Sequence, residues 1–218
     1  MFIINCKNYD EISGEKIIKL AKISQRISKK YKIPIAIAPP HHLIPLIVKF
    51  NVIILAQHLD DKKVGSTTGF MIPEIVKKSK INGSLINHSE HRIPEKEIKN
   101  LVKRLKRLKL KTVLCVKNVN ESKKYAKLNP TFIAIEPPEL IGTGRAISTE
   151  RPQLITNAVD GVKSAKNSTK LLCGAGIVSG NDVARAKQLG SKGILVASGI
   201  VKAKNWEKII EEFSRALV

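Results

Sequence analysis

Glu136 follows the apolar run Phe132-Ile133-Ala134-Ile135 and precedes Pro137-Pro138-Glu139-Leu140-Ile141-Gly142-Thr143-Gly144-Arg145. A short buried strand of this kind delivers one carboxylate to its carboxyl edge. Side chains alternate along a strand, so Ala134 and Glu136 share one face while Ile133 and Ile135 turn toward helices. The loop behind starts on proline, carries two glycines and runs to about Thr149, beyond the ~2–6 residues usual for a βα connection. Partial burial makes a carboxylate a stronger base. A carboxylate beneath a segment able to close has the layout of a catalytic base with a lid. The plain alternative is a surface loop.

Three other segments carry chemistry. In Asn5-Cys6-Lys7, alternation sends Asn5 and Lys7 to one side, placing an amide beside an ammonium. A solvated lysine at a strand end is the bland reading of that pair. In Asn87-His88-Ser89-Glu90-His91-Arg92, His88 falls at a strand end, and Ser89 is placed to cap a short turn of helix. Amides at the start of such a turn disfavour an imidazolium, leaving a neutral ring that can donate to an oxyanion. Metal ligation by His88 and His91 is a rival role, although no third ligand has a suggestive spacing and His41-His42 belong to another loop. A purely structural His88 is the third reading. Finally, Cys173-Gly174-Ala175-Gly176 and Ala197-Ser198-Gly199 are small-residue strand ends whose amides can approach an anion, helped by a short helix beginning near Ser198. Tight packing is the other use of such glycines.

These residues need elements to position them. Apolar strand-like runs at 2–5, 34–38, 52–56, 83–87, 111–116, 131–135, 170–173 and 193–197 alternate with helical patterns near 14–30, 42–49, 72–79, 95–108, 119–127, 151–165, 180–188 and 203–216. Pro94 with Glu95, Pro152, and Asn181-Asp182 mark helix starts, and Gly190 marks a stop. Alternating βα units build a parallel sheet. Eight units without a composition break predict a single α/β domain over residues 1–218, a closed (β/α)8 barrel. A doubly wound open sheet is the alternative, but its Gly-rich fingerprint after the first strand is missing. In such a barrel the chemistry belongs to the carboxyl ends of the strands.

Composition narrows the field further. Hydrophobic residues make up 43% of the 218 residues, enough for a packed core. No apolar run approaches the roughly 20 residues needed to cross a bilayer. The N-terminus lacks the charged region and cleavage site of a signal peptide, so a cytoplasmic protein without a membrane partner is expected. Cys6, Cys115 and Cys173 lie in or beside apolar runs, without CxxC spacing, and read as buried reduced thiols. The formal charge of +21 would attract phosphorylated metabolites, nucleic acid or anionic lipid. Its densest run, Lys103 to Lys111, has helical apolar spacing up to about Leu108 and reads as an outer helix with a solvated face. Aromatics at 4% are too few for an extended base-stacking platform, which disfavours nucleic acid.

Taken in order, Asn5-x-Lys7, Gly65-Ser66-Thr67-Thr68-Gly69, Asn87 to Arg92, Ala134-Ile135-Glu136-Pro137 with Ile141-Gly142-Thr143-Gly144, and the glycine-bearing ends at 174–176 and 197–199 resemble the triosephosphate isomerases from end to end. The resemblance implies a TIM barrel that interconverts glycerone phosphate and D-glyceraldehyde 3-phosphate through an enediolate. This is a step of glycolysis and gluconeogenesis that uses no metal or organic cofactor. It implies Glu136 as base, His88 as electrophile, Lys7 as fixed positive charge, Glu90 as anchor or relay, and Asn5 on the substrate oxygens. Backbone amides near Ile141-Gly142, Gly174-Ala175 and Ala197-Ser198 would hold the phosphate. The implied lid comprises Pro137, Pro138, Glu139, Leu140, Thr143, Gly144, Arg145, Ala146 and Ile147. The short chain, with helices trimmed near 119–127 and 200–204, is similar to the compact archaeal branch, which implies a homotetramer rather than a dimer. Phe70 stands where the common form has an acidic residue, Val116-Lys117 replaces Ile-Gly-Glu, and Ala197-Ser198 replaces Gly-Gly. A sugar-phosphate epimerase on the same barrel and a basic nucleic-acid-binding module are the competing functions.

Overall fold

The computed structural model describes residues 1–140, 142–144 and 146–218. Eight parallel strands form a closed barrel in sequence order: β1 (Phe2–Asn5), β2 (Ile35–Ala38), β3 (Ile53–Ala56), β4 (Gly83–Ile86), β5 (Lys111–Val116), β6 (Phe132–Ile135), β7 (Lys170–Cys173) and β8 (Ile194–Val196). Closure is set at β1, where Phe2 pairs with Ile35 on one side and Ile194 on the other. The expected strands agree with these to within a residue at either end. Around the barrel run α1 (Lys16–Tyr31), α2 (Ile44–Ile47), α3 (Pro73–Lys78), α4 (Glu95–Arg107) and α5 (Val119–Ala126). They are followed by α6 (Ile147–Glu150), α7 (Pro152–Lys163), α8 (Gly180–Gln188), α9 (Ser198–Val201) and α10 (Trp206–Leu217). Among the described residues no helix is long and apolar enough to cross a membrane.

Alternation divides the core in two. Ile3, Leu85, Phe132, Ala134 and Leu172 pack inside the barrel. Phe2, Ile4, Ile86, Ile133 and Ile135 face the helices. The inward parity of β1 and β6 therefore passes, at the next inward position, to Asn5 and Glu136. Cys6 lies in the outer layer, and all three cysteines are buried free thiols.

Local signals explain most helix boundaries, with two corrections. α4 begins directly after Pro94, and α7 begins on Pro152, whose missing N–H costs nothing in a first turn. α8 is capped by Ser179, not by Asn181-Asp182. The Ser179 side chain accepts from the Asp182 amide while the Asp182 carboxylate accepts from the Ser179 amide, a reciprocal capping box. Gly190 ends that helix at φ +99. The expected helix at 42–49 is a 3-10 turn, His41–Leu43, running into the single turn of α2. Pro45 sits in that first turn, where it is tolerated, and Asn51, in the loop beyond α2, donates its amide to Gln25 Oε1 at 2.7 Å.

Candidate active site

Asn5, Lys7, His88 and Glu136 line one cavity at the carboxyl ends of the strands, with Gly142, Gly144, Gly174, Ala197 and Ser198 around its rim. Glu136 arrives by strand alternation. Its amide donates to the Val116 carbonyl at 2.8 Å, so the β5–β6 ladder continues to the carboxylate itself. Its side chain is only 5% exposed. Oε1 lies 3.5 Å from His88 Nε2, while Oε2 has no hydrogen-bond partner among the described residues. A buried carboxylate oxygen without a donor is costly, and such atoms are uncommon outside sites that do chemistry. Gly174 makes room for it, because a Cβ there would stand 2.5 Å from Glu136 Cγ.

His88 does not arrive by alternation. Leu85 faces inward and Ile86 outward, so a regular strand would carry position 88 outward. Asn87 reverses the chain with φ +61, a left-handed conformation that Asn adopts more readily than most residues. Its side chain holds the bend, donating from Nδ2 to the Cys115 carbonyl at 3.0 Å and accepting from the Ile93 amide at 3.2 Å. Sequence reasoning placed residue 87 in the strand and missed this reversal. An Asn before a polar run was the available signal.

Ser89 does not cap the turn that follows, since its buried Oγ has no partner among the described residues. The cap is the imidazole. The Glu90 amide donates to His88 Nδ1 at 3.2 Å, and the His91 amide donates to the His88 carbonyl at 2.8 Å. A ring nitrogen that accepts an amide hydrogen cannot also hold a proton, so the ring's proton sits on Nε2, aimed at Glu136. Asn5 Nδ2, 3.4 Å from the same nitrogen, is then a close neighbour and not a partner. Burial pushes the His88 pKa down. The hydrogen bond and charge of Glu136, with the charge of Glu90, outweigh it and leave the pKa above the ordinary 6.5. The Glu90 amide resists that second proton, and the neutral Nε2–H form satisfies both neighbours.

Lys7 leaves β1 in a left-handed conformation, φ +46. Its amide donates to Asn5 Oδ1 at 3.1 Å, and its carbonyl accepts from Gln57 Nε2 at 2.9 Å. The ammonium meets Glu90 Oε1 at 2.5 Å and has 14% of its side chain exposed. Glu90 thus touches Lys7 through its carboxylate and His88 through its amide. Gln57 had no place in the sequence reading, because nothing in Ala56-Gln57-His58 marks a support for a residue fifty positions earlier.

The glycine-bearing ends differ in what they offer an anion. The Gly174 amide is engaged with the Ile135 carbonyl at 3.1 Å, and the Ala175 carbonyl accepts from Ile147 at 3.3 Å. Ala175 is 2% exposed and is absent from the cavity wall. Gly176 and Ile177 line the wall instead, and among the described residues their amides donate to no protein acceptor. Ser198 and Gly199 head α9, where the first amides lack an acceptor within the helix. A Cβ on Gly199 would meet the Ile177 carbonyl at 2.5 Å, so glycine lets these two loops approach.

Ile141, expected among the phosphate-binding amides, and Arg145 of the lid lie outside the described residues. Pro138–Leu140 forms a 3-10 turn, with Leu140 buried and its amide bonded to the Pro137 carbonyl at 3.0 Å. Glu139 pairs with Arg151. Ala146 and Ile147 are buried, and Ile147 opens α6, a turn of helix within the long loop. Between these anchors Gly142, Thr143 and Gly144 are exposed.

The site thus joins a buried carboxylate that faces His88 through one oxygen, a neutral imidazole and an ammonium beside amides that donate to no acceptor among the described residues. Chemically, that set can take a proton from carbon while stabilising the oxyanion that forms. A family model of triosephosphate isomerases matches residues 1–213. The triosephosphate isomerase of Cenarchaeum symbiosum is 49% identical over 217 residues, spanning 100% of this chain and 97% of its own. Those of Methanocaldococcus jannaschii and Methanothermus fervidus are 42% and 39% identical over 213 residues, covering 97% of this chain and 97% and 96% of theirs. On this cover and identity, and on a closed eight-stranded barrel, the chain belongs to the triosephosphate isomerase family.

Proposed function

We propose that this chain interconverts glycerone phosphate and D-glyceraldehyde 3-phosphate through an enediolate, as one barrel domain in the cytoplasm serving glycolysis and gluconeogenesis. The observation that carries the reading is Glu136 Oε2, buried and without a donor among the described residues, in the same cavity as His88 and Lys7. Glu136 takes the proton from the carbon beside the carbonyl and returns it to the neighbouring carbon. His88 donates from Nε2 to the carbonyl oxygen and moves a proton between the two oxygens. The pairing of a Glu base with a neutral His is the family's known division of labour, and the distances here are compatible with it.

Lys7 supplies fixed positive charge to the enediolate and the phosphate. Asn5 binds substrate oxygens, and Glu90 keeps Lys7 in place. Amides of Gly176, Ile177, Ser198 and Gly199 support phosphate binding, preorganised hydrogen bonds in place of salt bridges. Closure of residues 137–147 excludes water and protects the enediolate. Self-association, which we read as a homotetramer, is supported by exposed Phe70 and Ile75, which line one groove with Thr67 of the 65–69 loop.

A coupled assay on chelator-treated protein tests the reading. Turnover of glyceraldehyde 3-phosphate is expected without added metal. A strict metal requirement would point to an epimerase-type barrel. Tight, steeply salt-dependent nucleic-acid binding with no turnover would point to the basic binding module.

A further inference from the structure

Three imidazoles stand beside the cavity without a part in the proposed chemistry: His41 after β2, His58 after β3 and His91 after β4. The rings of His58 and His91 lie face to face, with centroids 3.8 Å apart and planes 14° from parallel. His41 Nε2 accepts from the backbone amides of Gln57 at 3.0 Å and His58 at 3.3 Å. His58 Nε2 lies 3.4 Å from Asp60 Oδ1, and Asp60 Oδ2 accepts from the Met71 amide at 2.7 Å. One ring of the stack is therefore anchored through its backbone and its edge. The other belongs to the turn that contains His88 and Glu90.

Two lines run from this cluster to Lys7. Gln57, whose amide His41 holds, donates its side chain to the Lys7 carbonyl at 2.9 Å. Glu90, next in the chain to His91, meets the Lys7 ammonium at 2.5 Å. Lys7 is a non-glycine residue at φ +46, a conformation that surrounding structure has to impose.

We propose that His91, stacked on His58, is a positioning residue for Lys7 and His88: the stack ties the 88–91 turn to the end of β3, and the turn holds Glu90 against both. The proposal rests on the functional reading above.

Protonation weakens the arrangement. Two imidazolium ions stacked at 3.8 Å would repel, and a protonated His41 Nε2 would lose both of its amides. Burial and the neighbouring His91 push the His58 pKa below 6.5, against Asp60 and Glu97, which favour its charge. Burial, with His58, His42 and His91, pushes His41 down against Asp60. Lys7, Glu90 and His42 face the same neighbouring cavity as the three rings. Acidification below 6.5 is thus the direction that loosens the turn.

Kinetics of His91→Ala, His58→Ala, the double variant and His91→Phe decide the matter, with imidazole nitrogen NMR of His88 beside them. Each alanine variant is expected to fold and to lose about tenfold in kcat/KM, the scale of a small misplacement, with the double variant no worse than either single one. His91→Phe keeps a stacking ring that cannot take a proton. It should stay near wild type at neutral pH and lose less activity on mild acidification. His88 Nδ1 should lose the signature of its amide hydrogen bond in His91→Ala and keep it in His91→Phe. Unchanged kinetics and spectra in His91→Ala, or equal damage in His91→Phe, would overturn the proposal. A wild-type protein with no isomerase activity would instead sink the functional reading, leaving the His88 spectrum to judge the stack.

Discussion

At the scale of the residue, Glu136 is held by what is missing around it. Gly174 leaves it space, and none of the described residues donates to Oε2. Adding one methyl group should therefore be enough to move the base. Gly174→Ala is expected to fold and to lower kcat by about 10²-fold, since a misplacement near 1 Å has that effect; wild-type kcat in that variant would show that the carboxylate tolerates the contact. His88 offers a second check. Its hydrogen bond to Glu136 and that residue's charge raise its pKa against burial, so in Glu136→Gln its NMR titration midpoint should fall below the wild-type value. Both groups were legible as chemistry in the sequence, because an acid after Phe-Ile-Ala-Ile and a His in Asn-His-Ser-Glu are rare company. The direction of His88 was not legible. It depends on one left-handed residue, Asn87, whose conformation is set by a carbonyl on β5 and an amide five residues beyond His88.

At the scale of the element, the eight βα units were readable because each strand is short, apolar and bounded, and each longer helix keeps an apolar stripe. What could not be read were contacts that join elements distant in sequence. Gln57, for example, holds the Lys7 carbonyl from fifty residues away. The Ser179–Asp182 capping box at the start of α8 is by contrast local, and its Ser-x-x-Asp spacing was a readable signal that an expected start at Asn181-Asp182 missed. Ser179→Ala should cost about 1 kcal/mol, a fall of about 2–4 °C in the melting temperature for a chain of this size. An unchanged melt would deny the box its stabilising role. The loop ends after β2 and β3 also give stability a pH dependence. His41 and His58 have folded pKa values below the ordinary 6.5, burial being the first cause. An unfolded chain therefore binds more protons as pH falls through the region just below 6.5. Their contribution is complete above that value and is lost below it. Melting curves across this range should show stability declining on the acid side, with a smaller decline in His58→Phe.

At the scale of the whole molecule, charge and assembly remain the features least tied to the fold. Lysines occupy left-handed positions between helices and strands at Lys32, Lys80, Lys109 and Lys166, where glycine is common. Each sits at or just past a helix C-terminus, where positive charge is favourable. That accounts for part of a charge of +21 without any partner. A field of this sign should still draw in a phosphorylated substrate, so kcat/KM is expected to fall with added salt while kcat holds. A salt-independent kcat/KM would remove steering from the account. The exposed Phe70 bears on assembly. If its patch joins subunits, Phe70→Glu lowers the mass in solution, and a wild-type protein that is already monomeric excludes the tetramer.

The claim on which the rest depends is that the Glu136 carboxylate takes a proton from carbon. Proton NMR of glycerone phosphate in heavy water, with enzyme added, reads that event directly. The account predicts that wild-type protein replaces a carbon-bound proton with deuterium, and that Glu136→Gln, folded and still binding substrate, slows this exchange by about 10²–10⁴-fold. Exchange at the wild-type rate in the folded variant would contradict it.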